Sequence, residues 1–312
     1  MGLLQKFKKG IKYLLNADYR FCFRACDGRY HDMPDEPYLR RLYRGYTGRK
    51  LNLENPTRFN EKMQWIKLYD RKPEYTMMVD KYLVRDYIKA KLGEQFLIPL
   101  LGVWENPEDI PFDELPDRFV LKCNHNSGTG MYICKDKSQM DVERVKEGLR
   151  KGLAEDYYIR MREWPYKNVP RRVIAEKFME DKPGEDLNDY KVMCFNGEAK
   201  LIQIHRGRFG KHTQDFYDAR WNLLDIYQGV PLSGTVMEKP SFLEEMLELS
   251  QKLAEGIPCV RVDWYHAEGR LYFGELTFFD ASGFDEFEPD VWNERMGSWI
   301  TLPKEIDNSY GE

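Results

Sequence analysis

The most informative part of the sequence is residues 259–284, which read CVRVDWYHAEGRLYFGELTFFDASGF. Apolar and polar residues alternate on both sides of a turn at 267–269, so the stretch predicts two paired β-strands. Arg261, Asp263 and Glu275 are charged residues within these otherwise apolar and aromatic strands. An unpaired buried charge is unfavourable. The stretch is therefore either a site for one or two Mg²⁺ ions that hold a polyphosphate, or an arginine–carboxylate pair on a solvated sheet face.

A geometric condition separates these two interpretations. Directly paired residues of neighbouring strands share a face of the sheet, so Asp263 and Glu275 lie together only if paired residue numbers sum to an even value. An odd-numbered loop such as Ala267-Glu268-Gly269, or a bulge, would give this register, whereas a regular hairpin with a two-residue Glu268-Gly269 turn would not. A metal site requires the two carboxylates on one face.

The composition is that of a folded globular protein with one large domain or two smaller ones. Of the 312 residues, 42% are hydrophobic and 14% aromatic, and the net charge of −4 gives no general case for nucleic-acid binding. Residues 1–50 carry +7, which leaves −11 for the rest. Six scattered cysteines are typical of reduced thiols, and we find no signal peptide and no apolar run that could cross a bilayer. We therefore expect a cytoplasmic protein.

The amino-terminal region is basic and predicted to be helical. Residues 3–15 predict a short amphipathic helix, with four lysines between its apolar positions. Such a helix could lie on an anionic membrane surface, as a peripheral contact on the inner face, or pack against the rest of the protein. Residues 19–49 are rich in arginine and tyrosine, and we interpret them as a solvated helical face rather than a binding surface for an anionic partner.

The remainder of the chain predicts helices and hairpins without the alternation typical of a doubly wound parallel sheet. Thr57 or Asn60 is expected to cap the first helix, and Ser241 with Glu244 to form a capping box for a late one. Asn196-Gly197 is a strong hairpin signal. The fold class is therefore α+β with mostly antiparallel sheets. The main predicted helices are 59–69, 74–92 and 141–157, and the main strands are 96–104, 118–123, 131–134, 172–179, 189–195 and 200–205.

A glycine-rich loop follows the strand that carries Lys122. The loop reads NHNSGTG, residues 124–130, and such a loop can direct backbone N–H groups at phosphate oxygens while the lysine supplies a counter-charge. It matches neither G-x-x-x-x-G-K-[ST] nor the dinucleotide-binding fingerprint. Taken alone, such a hairpin tip is more often only a turn.

Four segments in this order resemble the ATP-grasp superfamily, and within it the TupA-like ATP-grasp proteins of bacterial surface-polysaccharide clusters. They are FVLKCNHNSGTG, VIAEKF, DYKVMCFNGE, and VRVDWY with FGELTF. The resemblance covers about residues 55–303 and implies the ATP-grasp fold, in which two α+β subdomains grip ATP. It implies a basic helical region at 1–54, a helical region at 55–116 and an ATP-grasp body at 117–312, whose two lobes are 117–180 and 181–303.

The resemblance also implies a nucleotide site. Lys122 and Lys191 would contact the ATP phosphates, and residues 126–130 would fold over them. Glu176 would accept a hydrogen bond from the adenine amino group, and Glu185 would reach the ribose. The implied nucleotide-binding residues are Lys122, Asn126, Ser127, Gly128, Thr129, Gly130, Glu176, Lys177, Phe178, Glu185 and Lys191.

By the same resemblance, the opening strand pair holds the metal and the catalytic arginine. Asp263 and Glu275 would hold two Mg²⁺ ions, and Thr277 stands where ATP-grasp enzymes commonly have asparagine as the last ligand. Arg261 would stabilise oxygen charge on the substrate, and Lys191 would act beside it on the β- and γ-phosphates.

The implied reaction is ATP-dependent activation of a carboxylate to an acyl phosphate, followed by attack of an amine. The expected partners are a carboxylate and an amine, one of them carried by a lipid-linked or polymeric glycan of the cell surface, and no nucleic acid. Three alternatives stay open at this point: a phosphotransferase on the same core, a glycosyltransferase, and a nucleotide-binding protein without catalytic activity.

Overall fold

Two antiparallel sheets and nine α-helices form the described part of the chain. The computed structural model describes residues 13–180, 187–207 and 210–304. A four-stranded sheet has the order β1-β4-β2-β3, and a six-stranded sheet has the order β10-β9-β5-β6-β7-β8. None of the helices in these ranges combines the length and apolar composition needed to cross a bilayer.

Five helices precede the first strand along the chain, and the other four helices alternate with groups of strands. The strands are β1 Leu100–Trp104, β2 Phe119–Cys123, β3 Tyr132–Cys134, β4 Val173–Lys177, β5 Asp189–Phe195, β6 Glu198–Arg206, β7 Thr213–Asp218, β8 Leu223–Leu224, β9 Cys259–Ala267 and β10 Arg270–Thr277. The helices are α1 Ala17–Ala25, α2 Asp35–Thr47, α3 Phe59–Tyr69, α4 Pro73–Val79, α5 Val84–Lys91, α6 Val142–Ala154, α7 Tyr157–Met161, α8 Leu243–Leu253 and α9 Val291–Trp299.

The larger hydrophobic core joins the amino-terminal helices to the six-stranded sheet. Buried side chains of α1 to α5 belong to the same cluster as those of β5, β6, β9 and β10. A smaller core lies between the four-stranded sheet and α6. The basic helices α1 and α2 therefore share the core of the body, as expected for apolar stripes that must be buried.

Several predicted boundaries and caps are wrong. The helix predicted over 74–92 is two helices, one ending at Val79 and the next beginning at Val84. Between them, the side chain of Asp80 accepts hydrogen bonds from the backbone N–H groups of Tyr82 and Leu83, which interrupts the first helix. Glu61, rather than a side chain at 57 or 60, accepts the N–H groups of Thr57 and Arg58 before α3. Glu244 pairs with Lys239 instead of forming a capping box.

The β9–β10 hairpin contains the predicted irregularity at a different place. Its turn is the two-residue Glu268-Gly269 turn, with φ of 54° and 78°, so Ala267 pairs with Arg270. A bulge at Gly274 then shifts the register, and Glu275 pairs directly with Asp263. Of the two alternatives that the sequence left open, an odd-numbered loop or a bulge, the structure has the bulge. The condition for a shared face is therefore met, by a β-bulge.

Candidate active site

A cavity of about 380 Å³ lies between the two sheets. The four-stranded sheet contributes Lys122 and Glu176, and the six-stranded sheet contributes Lys191, Asp263 and Glu275. The rest of the lining is mixed and contains apolar side chains and further lysines. The remaining lining residues are Lys81, Ile98, Val120, Ser127, Gly128, Met131, Ile133, Lys135, Lys177, Phe178, Met179, Leu187, Asp189, Tyr265 and Gly274.

One row of polar side chains crosses four strands of the six-stranded sheet. Glu275 pairs with Asp263, Asp263 with Lys191, and Lys191 with Gln203. Residues paired in this way point to the same face, so the row places two carboxylates and a lysine side by side. Lys191 donates to Asp263 Oδ2, and both residues are buried. The sequence-predicted residues of this row are therefore brought together.

Arg261 lies in the next row and binds the carboxylates around it. Its Nε and Nη2 donate to the two oxygens of Asp263 at 2.7 and 2.8 Å, a two-point contact that fixes the plane of both groups. Nη2 also reaches Thr277 Oγ1 at 3.1 Å, and it lies 3.5 Å from Glu275 Oε1. Thr277 thus lies beside Glu275, although its hydroxyl is engaged by the arginine.

Asp280 is a site residue that the sequence analysis missed. Its Oδ1 accepts from Arg261 Nη1, and its Oδ2 accepts from the side-chain amides of Gln203 and Gln228 at 2.9 and 3.1 Å. Both amides come from strands or loops far away in the chain. The sequence feature that could have indicated Asp280 is its position. It lies three residues after the predicted last metal ligand, Thr277, in the apolar run that follows the second strand of the hairpin.

The loop that contains Asp280 has an unusual backbone, which α3 stabilises. Residues 281 and 282 have φ of 45° and 54°, a region that residues other than glycine rarely adopt. Asn60, Gln64 and Lys67 of α3 are buried and donate to backbone carbonyl groups between Ser282 and Asp285. Burial lowers the pKa of Lys67 to about 7. These buried donors offset part of the strain, so Asp280 is held in place beneath Arg261.

The electrostatics of the cluster keep its carboxylates ionised. Burial alone would raise the pKa of a carboxyl group. Nearby cations outweigh burial here: Arg261 and then Lys191 lower the pKa of Asp263, and Arg261 lowers that of Asp280. The pKa of Glu275 is also lowered, by Lys81 most strongly. The site therefore presents three negative carboxylates at neutral pH, each next to a basic side chain.

At the other sheet, a second ion cluster surrounds Glu176. Lys122 Nζ lies 2.6 Å from one carboxylate oxygen, and Arg85 Nη1 lies 3.5 Å from the other. Arg85 also donates to the carbonyl of Ile98 at 2.9 Å. Lys122 and Glu176 are thus direct partners across β2 and β4. Arg85 was not predicted, because it comes from a helix whose contact with β4 is not visible in the sequence.

The glycine-rich loop contributes to the cavity with only part of its length. Ser127 and Gly128 line it, whereas the Asn126 side chain points away and donates to Gly152 O and to Glu155. Gly130 packs against α6, where an added Cβ would lie 2.8 Å from Cys123 Sγ. Asn126 and Gly130 therefore do not line the cavity, because both residues pack the loop against α6. Thr129 is exposed and does not line the cavity either.

Lys81 connects this loop to the metal-site candidate. Its Nζ donates to the Asn126 carbonyl at 2.7 Å and lies 3.5 Å from Glu275 Oε2. No role was predicted for Lys81. The predicted ribose contact Glu185 lies outside the described residues.

A family model described as TupA-like ATP-grasp matches residues 61–301 of the sequence. The chain belongs to the TupA-like ATP-grasp family. Its fold is accordingly the ATP-grasp fold, in agreement with the sequence analysis. No curated protein matches the chain at a significant level.

Solved structures similar to this TupA-like ATP-grasp chain include three ligases. A D-alanine–D-alanine ligase from Bacillus anthracis complexed with ATP is 20% identical, with a TM-score of 0.40 over 65% of this chain and 55% of that one. The D-alanine–D-alanine ligase from Helicobacter pylori is 16% identical, with a TM-score of 0.40 over 78% and 69%. An L-amino acid ligase from Bacillus licheniformis is 14% identical, with a TM-score of 0.42 over 72% and 49%. The chain thus spans a little over half of the B. anthracis ligase.

The donor set of this TupA-like ATP-grasp protein fits magnesium held jointly by protein and phosphates. Mg²⁺ prefers oxygen ligands and is commonly held by one or two carboxylates plus substrate phosphates and water. Asp263 and Glu275 supply two such carboxylates on one face, at the wall of the cavity. Across the described ranges, no group of three or more Asp, Glu, His or Cys side chains is arranged to hold a metal.

Proposed function

We propose that the protein is an ATP- and Mg²⁺-dependent carboxylate–amine ligase that joins an amino acid or similar amine to a carboxylate. The observation that carries this proposal is the cavity between the sheets. It has lysines on both walls and paired carboxylates on one wall, and the side chain of Arg261 behind them is 12% exposed. Membership of the TupA-like ATP-grasp family supports the same reaction class.

The nucleotide would lie in the cavity with its base against apolar side chains of the lining. Ile98, Val120 and Leu187 line the cavity and can cover the faces of a purine ring. The backbone of Lys177 and Phe178 would offer hydrogen bonds to the ring edge. Glu176, already paired with two cations, would keep Lys122 directed at the phosphates rather than free in solution.

The basic residues would neutralise the charge of the transferring phosphoryl group. Phosphoryl transfer depends mainly on positioning and electrostatic stabilisation, not on a covalent role of the protein. Lys191 and Lys122 approach the cavity from opposite sheets, so they can contact neighbouring phosphates. Asp263 and Glu275 would hold the magnesium, which when bound screens the repulsion between the phosphate oxygens and the incoming carboxylate.

Arg261 would bind the carboxylate substrate and the oxyanion that forms from it. Asp263 and Asp280 hold its guanidinium from two sides, so it is preorganised for this role. The substrate carboxylate attacks the γ-phosphorus and ADP leaves. The amine then attacks the acyl carbon, phosphate leaves, and the amine proton is lost to solvent. The amide is formed without a covalent bond to the protein.

We further propose that the acceptor belongs to the assembly of a cell-surface polysaccharide. The resemblance to TupA-like proteins of surface-polysaccharide clusters supports this setting. A uronic acid residue of a glycan provides the carboxylate that the reaction needs, and a free amino acid provides the amine.

The deciding experiment is incubation with ATP, Mg²⁺ and a panel of amino acids and uronic-acid glycans, read by mass spectrometry. A ligase forms an amide and releases inorganic phosphate only when both substrates are present. Phosphate that stays on the acceptor would instead identify a kinase, and turnover of nucleotide sugars without ATP would identify a glycosyltransferase.

Asp263→Asn tests the metal assignment within the same assay. Loss of one carboxylate leaves Mg²⁺ with a weaker ligand and Lys191 without its partner, so we expect phosphate release to fall by about a hundredfold or more. Asp290→Asn is the matched control, because Asp290 is a half-exposed carboxylate that pairs with Arg49 and Arg58 on the surface. Equal phosphate release by Asp263→Asn and the wild type would refute the metal assignment.

A further inference from the structure

The first described residues form an exposed surface that is both apolar and basic. Leu14, Leu15 and Phe23 are 72%, 81% and 51% exposed, and Leu15 is the most exposed large hydrophobic residue in the described ranges. Arg20 and Arg24 lie on the same helix as Phe23, three residues before it and one after it. We refer to these five residues as the amino-terminal patch. Single exposed hydrophobic residues are ordinary on protein surfaces, but a group of three beside cations is less so.

The patch is held together by its own contacts. Arg20 donates to the carbonyls of Tyr13 and Leu14, which ties the segment before α1 to the helix. The Phe23 ring makes edge-to-face contacts with Tyr13 and Tyr19, at centroid distances of 5.6 and 5.1 Å. An aromatic and leucine surface bordered by tyrosine and arginine is typical of side chains that lie at a membrane–water interface.

The opposite face of α1 is buried against α2, so the residues of the patch on this helix lie on its exposed side. Phe21 and Cys22 are buried against α2, and Arg41 lies over the Phe21 ring at 4.2 Å. The carboxylate of Asp18 is engaged by Arg41 and Arg44. Burying the amino-terminal patch would therefore not require α1 to leave its place in the fold.

We infer that the amino-terminal patch docks the protein on an anionic phospholipid bilayer. The charge distribution favours this partner, because residues 1–50 carry +7 while the rest of the chain carries −11. A negatively charged surface attracts the first part and repels the second, so the protein would bind in one orientation. Leu14, Leu15 and Phe23 would enter the acyl boundary while Arg20 and Arg24 contact the headgroups.

This inference does not depend on the proposed ligase activity, and its test uses no substrate. The full chain is mixed with vesicles of pure phosphatidylcholine, or of phosphatidylcholine with phosphatidylglycerol, and sedimented. We expect the protein to sediment with the mixed vesicles at low salt, and the bound fraction to fall as salt is raised. Thermal melting of each variant shows whether it is folded.

Two sets of variants separate the apolar and the electrostatic contributions. Leu15→Ser with Phe23→Ser should lower the partition coefficient about tenfold or more, and Arg20→Gln with Arg24→Gln roughly tenfold at low salt. Val236→Ser with Val291→Ser is the matched control, since these residues are 72% and 59% exposed elsewhere. The control should bind like the wild type.

Three results would overturn the inference. The wild type could stay in the supernatant with both kinds of vesicle, or the patch variants could sediment as well as the wild type does. The wild type could also form dimers in solution that the patch variants lose, measured by light scattering, which would assign the patch to a second copy of the chain.

Discussion

Asp280 and Lys81 illustrate what the sequence could not predict at the scale of single residues. The order of the segments that carry Lys122, Lys191, Asp263 and Glu275 resembles that of the ATP-grasp superfamily, so the sequence predicted that these side chains lie together. In the structure, all four line one cavity. Asp280 gains its role from amides on β6 and on a distant loop. A contact between side chains separated by tens of residues leaves no local pattern, so such partners are visible only in the fold.

His205 is another residue whose properties depend on the fold. It lies on β6 opposite Asp189, and its Nδ1 is 2.9 Å from His212 Nε2. Burial, and then the positive charges of Lys191 and Arg261, lower the pKa of His205 to about 3. The imidazole is therefore neutral in the folded protein at neutral pH, next to the cationic part of the site.

We predict that His205 makes the fold less stable in mild acid. The unfolded chain protonates this histidine near its ordinary pKa of about 6.5, whereas the folded chain does not until about pH 3. The contribution is fully present above pH 6.5 and is lost as pH falls toward 3. His205→Gln should therefore flatten the pH dependence of the unfolding free energy by about 1.4 kcal/mol per pH unit between pH 5.5 and 4.

Urea denaturation at a series of pH values measures this difference. His31→Gln is the control, at an exposed histidine on the surface. If His205→Gln and the wild type lose stability in parallel between these pH values, His205 is protonated in the folded state and the assignment is wrong.

At the scale of elements, the sequence predicted the two strands of the β9–β10 hairpin. It did not decide which irregularity would bring Asp263 and Glu275 to one face. With a two-residue turn and regular pairing, Asp263 and Glu275 would lie on opposite faces. A three-residue loop or a bulge would bring them to one face, and the sequence was compatible with both. The structure uses a bulge at Gly274. An added Cβ at Gly274 would lie 3.0 Å from the Tyr265 ring and 3.1 Å from the Asp263 carbonyl, a crowding that depends on the neighbouring strand.

We predict that Gly274→Ala damages the site more than the fold. The new methyl group must push Tyr265 or the Asp263 backbone away by a few tenths of an ångström, so Asp263 is displaced relative to Glu275. We expect a loss of about 1–3 kcal/mol in unfolding free energy and about a tenfold or greater loss of Mg²⁺-dependent phosphate release.

The matched control for this prediction is Gly148→Ala. Gly148 lies within α6, where an added Cβ meets nothing within 4 Å, so the change should stabilise the helix by up to about 1 kcal/mol. Unchanged phosphate release by Gly274→Ala would mean that the bulge does not set the position of Glu275.

At the scale of the whole molecule, one buried cation adds polar contacts to the shared core that joins the amino-terminal helices to the body. Arg162 is 1% exposed and lies just after α7. Its Nη2 donates to the carbonyls of Tyr30, His31 and Met33, and its Nε lies 3.3 Å from Asp35. The sequence predicted basic helices in this region, but it gave no sign that an arginine more than a hundred residues later would join them to the body.

We predict that Arg162→Met destabilises the protein severely. The substitution removes the charged donor that three backbone carbonyl groups share, while Asp35 keeps Tyr158 and Arg71 as partners. The loss should cost about 3 kcal/mol. Urea denaturation measures the loss. Arg160→Met is the matched control, because Arg160 is 45% exposed and forms a single pair with Glu155; it should change the unfolding free energy by less than about 1 kcal/mol.

A small loss in Arg162→Met, similar to that of the control, would contradict the prediction and show that Arg162 contributes little to the attachment of the amino-terminal helices. Either result is informative about how the chain is assembled, because α1 and α2 share a hydrophobic core with the six-stranded sheet.

The donors that α3 directs at residues 282–285 have a further consequence for how this protein can be divided. The helix precedes the first strand by some thirty residues, yet its Asn60, Gln64 and Lys67 stabilise the loop that follows the last strand. A fragment that begins at the first sheet would expose those carbonyl groups and release Asp280 from beneath Arg261. The part of the chain that carries the candidate site is therefore not a portable unit, and any recombination of its two sheets with other proteins has to include α3.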